Sequence, residues 1–130
     1  VGLLVGIGVT VAVQSSSITT SILVPLVAAG VLSIQSAYPI TLGANIGTTL
    51  TALLASLAVA RPEGLTIALV HVLFNVLGTA LVYPLPAVRY LPVRLAQLLA
   101  EAATRRHRLV LAYVVSVFVV LPVLGVLLFR

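Results

Sequence analysis

The chain has no cysteine, methionine or tryptophan, and among its 130 residues there is neither a lysine nor an aspartate. The missing cysteine excludes disulfides, thiol catalysis and thiolate metal sites. Charged residues make up only 7% of the chain, whereas ordinary soluble domains are about a quarter charged. Hydrophobic residues fill 62% of it and the mean hydropathy is +1.31, so water could not wet its surface and the chain belongs in lipid. The formal charge of +5 comes from arginines alone, set against Glu63 and Glu101. Arg89, Arg94, Arg105, Arg106 and Arg108 fall in one interval between apolar segments, as in membrane proteins that gather charge at their interfaces. The basic balance therefore points to lipid headgroups and excludes nucleic acid as the partner.

Four apolar stretches fall between the sparse charges. The first, residues 1–13, would rise only about 20 Å as a helix, against a hydrocarbon core of about 30 Å. It lacks the basic n-region and the small-residue cleavage pattern of a signal peptide. Its start in the middle of an apolar run makes us expect a piece of a longer protein. The run meets Gln14-Ser15-Ser16-Ser17-Ile18-Thr19-Thr20-Ser21, where seven of eight residues are polar. A second short apolar arm follows, with Pro25 and Gly30 in it. Two arms too short to span, flanking a hydroxyl-rich tip, predict a re-entrant helical hairpin over residues 1–36, since irregular backbone at membrane depth must be satisfied by protein or water.

Residues 37–60 are long enough to cross. Gly43-Ala44-Asn45-Ile46-Gly47-Thr48-Thr49 interrupts their middle, and glycine is a poor helix former, so a broken transmembrane helix is expected there. Arg61-Pro62-Glu63-Gly64 makes a turn, residues 65–88 cross back, and Tyr83-Pro84-Leu85-Pro86 closes them with an interfacial aromatic and two helix stoppers. In residues 89–108, Leu91, Leu95, Leu98, Leu99 and Ala102 share one face while Arg94, Gln97, Glu101 and Arg105 share the other, the pattern of an amphipathic helix in the headgroup plane. Residues 109–130 form the last crossing. The fold class expected is an all-α integral membrane unit: a re-entrant hairpin, a broken transmembrane helix, two further transmembrane helices and an interfacial amphipathic helix.

Two segments carry chemistry. Gln14–Ser21 offers an amide and six hydroxyls, and Gly43–Thr51 offers Asn45, Thr48, Thr49 and Thr51, with no charge in either. Hydroxyls and helix N-termini hold oxyanions, while hydroxyl, amide and unwound carbonyl oxygens suit a small hard cation. One neutral pocket can thus hold an anion and a cation that screen each other, which suits co-transport. A single Ser or Thr in a membrane helix serves packing or a backbone bond. Seven polar residues in eight, at the end of a half-length arm, read as a site. His71 and Asn75, at i and i+4 with Thr79 on the same face, read as interhelical hydrogen-bonding groups, since no carboxylate is placed to complete a proton relay. An enzyme lacks its parts: there is no aspartate, and the two glutamates lie in polar connections.

Gln14-Ser15-Ser16-Ser17, then Pro25-Leu26, then Ala37-Tyr38-Pro39-Ile40-Thr41-Leu42-Gly43-Ala44-Asn45-Ile46-Gly47-Thr48-Thr49, together resemble the type II sodium–phosphate cotransporter family. The likeness continues through His71-Val72-Leu73-Phe74-Asn75 and Tyr83-Pro84-Leu85-Pro86. It implies a protein of two inverted repeats, each with a hairpin and a broken helix, importing phosphate with sodium across the plasma membrane. This chain resembles the second, C-terminal repeat, so the other repeat is an implied partner. The resemblance puts Ser15, Ser16 and Ser17, with Asn45, around inorganic phosphate. It makes Gln14, Ser16, Asn45, Thr48 and Thr51 candidate ligands of Na+. Ala44 stands where family members often have serine, which removes one possible oxygen. A transporter of another oxyanion or a carboxylate, or a non-transporting membrane interaction module, are the alternatives.

Overall fold

The computed structural model of the chain describes residues 1–59 and 61–128, with the side chains at 107 and 109 left aside. The expected segment ends at Ala60 and Arg130 lie outside the described residues. Among the described residues every regular element is helical. Two compact units divide the chain, Val1–Tyr90 and Leu91–Arg130.

The first unit opens with α1 (Gly2–Val13), apolar throughout except for Thr10. Gln14 ends it in the left-handed region, at φ 58°. Ser15 is extended and its Oγ accepts from the Ile18 N–H at 3.3 Å, the N-cap bond that starts α2 (Ser16–Ala28). A polar Gln-Ser pair therefore turns the chain between two short helices. Gly30, at φ 72°, closes α2 as Val31 and Leu32 N–H groups bond back to the Leu26 carbonyl. The Ser33 hydroxyl then accepts from the Ser36 N–H at 3.2 Å at the entry to α3 (Ile34–Val59).

α3 runs unbroken for 26 residues, where the sequence led us to expect a break at Gly43–Thr49. The glycines serve close approach instead. A methyl group built on Gly43 would overlap the Leu3 carbonyl, and one on Gly6 would overlap the Ile40 carbonyl. Gly47 faces Thr10, and a Cβ there would lie 2.8 Å from the Thr10 Cβ. Gly2 lies against Pro39 in the same row. Small residues at four-residue spacing on both helices thus let two backbones touch, as in membrane helix pairs. The contacts advance in the same sense along both helices, so α1 and α3 run parallel. Ala44 sits within this seam, fully buried.

α4 (Pro62–Val82) packs back along α3, with Pro62 in its first turn and Glu63 close to the positive end of its dipole. A single turn, α5 (Pro86–Arg89), follows. Arg89 does not face out as a free charge. Its guanidinium lies 4.9 Å from the Tyr83 ring centre and 4.5 Å from that of Tyr90. Nη1 donates to the Tyr83 carbonyl at 3.3 Å and Nη2 to the Tyr90 hydroxyl at 2.9 Å. The arginine thereby caps the carboxyl end of α4 between two aromatic faces.

The second unit holds the amphipathic helix α6 (Leu91–Arg105) and a last helix in three pieces, α7 (His107–Val115), a π-helical turn (Ser116–Val120) and α8 (Leu121–Leu128). Pro122 lacks an N–H and crowds the carbonyl four residues back, and the widened turn just before it accommodates both. Three helices are long and apolar enough to cross a membrane: Ile34–Val59, Pro62–Val82 and Val110–Leu128.

Candidate functional site

The parallel seam fixes where the hairpin turns. α1 has 12 residues against 26 in α3, or about 18 Å against about 39 Å. With Gly2 beside Pro39 and Thr10 beside Gly47, α1 ends near the middle of α3. Gln14 accordingly shares a cleft of about 570 Å³ with Thr48 and Thr51, walled by Val11, Ala52 and Leu54. No charged group lines it. Both arms of the hairpin lie toward the amino end of α3, since α2 returns the chain to Ile34.

Gln14 is the one non-glycine with positive φ among the described residues. Such a conformation costs a side-chain-bearing residue about 1 kcal/mol or more. The strain sits at a residue that the sequence singled out for its amide. On α3, the Thr48 hydroxyl donates to the Ala44 carbonyl at 3.0 Å and the Thr51 hydroxyl to the Thr48 carbonyl at 2.8 Å. A hydroxyl whose proton is committed to the backbone offers only lone pairs outward. The cleft therefore presents hydroxyl oxygens as acceptors, with the Gln14 amide beside them.

The serine tract is the start of a helix. Ser15 caps it, and its carbonyl accepts from the Thr19 hydroxyl at 3.1 Å. The Thr20 hydroxyl reaches the Ser16 and Ser17 carbonyls at 2.9 and 3.2 Å. The N–H groups of Ser16 and Ser17 occupy the first two helical positions, which have no acceptor within a helix. Ser16 is half-buried, while Ser17 lies with Ser21 along an exposed groove of α2 that runs to Pro25.

Asn45 does not join the Gln14 cleft. It is turned to α4, where its main-chain carbonyl accepts from Asn75 Nδ2 at 3.5 Å. On one helix, Asn45 and Thr51 point about 120° apart, so one wall cannot carry both. Of the five residues expected around a cation, the structure gathers Gln14, Thr48 and Thr51 and sets Asn45 on the opposite flank. His71 is exposed, and Asn75 makes the link to α3 that the sequence ascribed to both. Sequence reasoning passed over Thr10, whose fully buried hydroxyl lies 2.8 Å from that of Thr19. Its signal was there: Gly2, Gly6 and Thr10 repeat every four residues.

An all-helical chain with three helices fit to cross a membrane, and an uncharged polar cleft at mid-length of the longest, has the build of a polytopic membrane protein. The sequence profile described as Na+/Pi-cotransporter matches residues 1–89, and the chain belongs to that family. It is 48% identical over 123 residues to the sodium-dependent phosphate transport protein 2B of Bos taurus, which covers 92% of this chain and 18% of that protein. The 2A protein of Rattus norvegicus is 46% identical over 92% of this chain and 19% of its own length. The Homo sapiens 2B protein is 46% identical over 92% of this chain and 18% of its own length. The chain thus spans less than a fifth of the length of these curated relatives. No solved structure matches it.

Proposed function

We propose that this chain forms one repeat of a sodium-coupled phosphate symporter of the plasma membrane, working by alternating access. The observation that carries the reading is the strained Gln14 turn set beside Thr48 and Thr51, in a charge-free cleft halfway along a membrane-length helix. In this reading α1 and α2 enter and leave the bilayer on one side as a re-entrant hairpin. Its support is the parallel seam that stops α1 at the middle of α3. Residues 1–36 are then the hairpin, 37–60 and 65–88 two crossings, 89–108 a helix in the headgroup plane and 109–130 a third crossing. The other repeat, elsewhere in the complete protein, supplies the opposite wall.

Sodium is cargo, held by Gln14, Thr48 and Thr51 with Ser16 beside them. Neutral oxygens fit a small monovalent cation and release it without a fixed opposite charge. Phosphate takes the amino end of α2, through the N–H groups of Ser16 and Ser17 and the hydroxyls of the Ser15–Ser17 tract, where the helix dipole favours an anion. The two ions screen each other, so no buried arginine is required. Transport, and not catalysis, is the activity.

The test is uptake of labelled phosphate by the complete protein, in sodium and in choline. Gln14→Ala and Ser16→Ala should each abolish sodium-dependent uptake while the protein stays at the membrane. Unchanged uptake in both variants overturns the proposal. Sodium-driven uptake of sulfate or a dicarboxylate in place of phosphate would keep the transport and replace its substrate.

A further inference from the structure

On the far flank of α3, Asn45 shares a cleft of about 240 Å³ with Asn75 and Thr79 of α4, bounded by Leu42, Phe74 and Val82. Its polar groups are poorly matched to one another. Asn75 Nδ2 reaches the Asn45 carbonyl only at 3.5 Å, and the Oδ1 on the other branch of that amide is an acceptor left over. The Asn45 side-chain amide has no hydrogen-bond partner among the described residues. Neither has the Thr79 hydroxyl, which sets it apart. Thr41, Thr48, Thr49 and Thr51 on α3, and Thr66 on α4, all donate to a carbonyl three or four residues back.

These groups lie well inside two helices fit to span a membrane. Lipid offers them no hydrogen bonds, and polar groups left unsatisfied there are costly. A polar occupant is required, and the chemistry of the walls selects it. A divalent ion would call for carboxylates, and Glu63, the carboxylate of α4, is in the first turn of that helix. An anion would call for N–H groups freed at a helix end, but α3 and α4 run unbroken past the cleft. What remains is a set of neutral oxygens, two amide and one hydroxyl.

We infer that Asn45, Asn75 and Thr79 form a second monovalent-cation site, separate from the cleft of Gln14, Thr48 and Thr51. The inference rests on the transport reading and deepens it. One coupling cation sits between the hairpin and α3, and another between α3 and α4. Because α4 supplies two of the three ligands, occupancy ties that helix to α3.

The experiment is the sodium-activation curve of phosphate uptake by the complete protein, with abundance at the membrane measured alongside. Thr79→Val and Asn75→Leu should each raise the half-activating sodium concentration about tenfold, with phosphate KM at saturating sodium held within about twofold. Thr79→Ser, which keeps the oxygen, should retain the original curve. A packing role alone would lower abundance and leave the curve in place. Thr79→Val present at the membrane with an unmoved sodium curve assigns the cleft to water and overturns the inference, whatever the fate of Asn75→Leu. In that case the unaltered protein still shows sodium-driven uptake, so the transport reading stands. Absence of sodium-driven uptake in the unaltered protein overturns both.

Discussion

The Thr10 and Thr19 hydroxyls meet at 2.8 Å across the hairpin, and both residues are almost wholly buried. The Thr19 proton is committed to the Ser15 carbonyl, so Thr10 is the donor of the pair. A directed chain of bonds therefore runs from the seam of α1 and α3, through α2, to the backbone of the turn. Removing its first link strands little, because Thr19 keeps its own acceptor. Thr10→Val should lower stability by about 1 kcal/mol. Thr19→Val strands the Thr10 proton as well and should cost more. The double variant should fall short of the sum of the two. Thermal melting of the purified protein in detergent measures all three.

The glycines divide into two kinds, and a methyl group tells them apart. Gly6→Ala and Gly43→Ala push a Cβ into backbone across the seam. Backbone cannot step aside as a side chain can, so each should cost about 1–3 kcal/mol or more. Gly8 lies on the same helix as Gly6 with nothing within 4 Å of the added methyl. Gly8→Ala should leave stability unchanged, or raise it by up to about 1 kcal/mol through helix propensity. Loss of folded protein in the first two variants and its retention in the third is the expected outcome. Equal behaviour of Gly6→Ala and Gly8→Ala would remove the seam from the account.

That contrast also explains what the sequence could and could not tell. The hairpin turn was legible because Gln-Ser-Ser-Ser between two apolar arms is a local signal, with a serine able to cap the helix that follows. Gly43 and Gly47 were misread as a break, because helix propensity weighs one helix alone. Their use depends on Gly2 and Gly6 at the same spacing in a neighbour. Asn45 was placed with the serine tract because both are polar and uncharged. Which flank of α3 each residue occupies depends on the rotation of that helix against α1 and α4, and no local pattern encodes it. Arg89 was grouped with the interfacial arginines by its position in the chain, and only the fold of the Tyr83–Tyr90 turn sets it apart.

Arg89 fills its place by shape as much as by charge. A planar guanidinium lies against both tyrosine rings and offers two separate forks, one to the Tyr83 carbonyl and one to the Tyr90 hydroxyl. An ammonium keeps the charge but cannot do both. Arg89→Lys should therefore destabilise the first unit nearly as much as Arg89→Ala, by about 1 kcal/mol. Arg94→Lys, at an exposed position on α6, should have no effect. Full recovery of the melting temperature by Arg89→Lys would mean that charge alone holds the turn.

Gln14 combines a strained backbone with a side chain assigned to the cargo, and two substitutions separate these. Gln14→Gly relieves the positive φ of 58° and should stabilise the turn by about 1 kcal/mol. Gln14→Ala keeps the strain and gives no such gain. Both remove the amide from the cleft it shares with Thr48 and Thr51. If the amide handles the ions, both variants lose sodium-driven phosphate uptake while one melts higher than the other, and activity parts company with stability. If the residue merely turns the chain, Gln14→Gly transports as well as the unaltered protein or better. Uptake and melting temperature measured on the same two preparations decide between these, and the glycine variant that is the more stable of the pair should be as inactive as the alanine one.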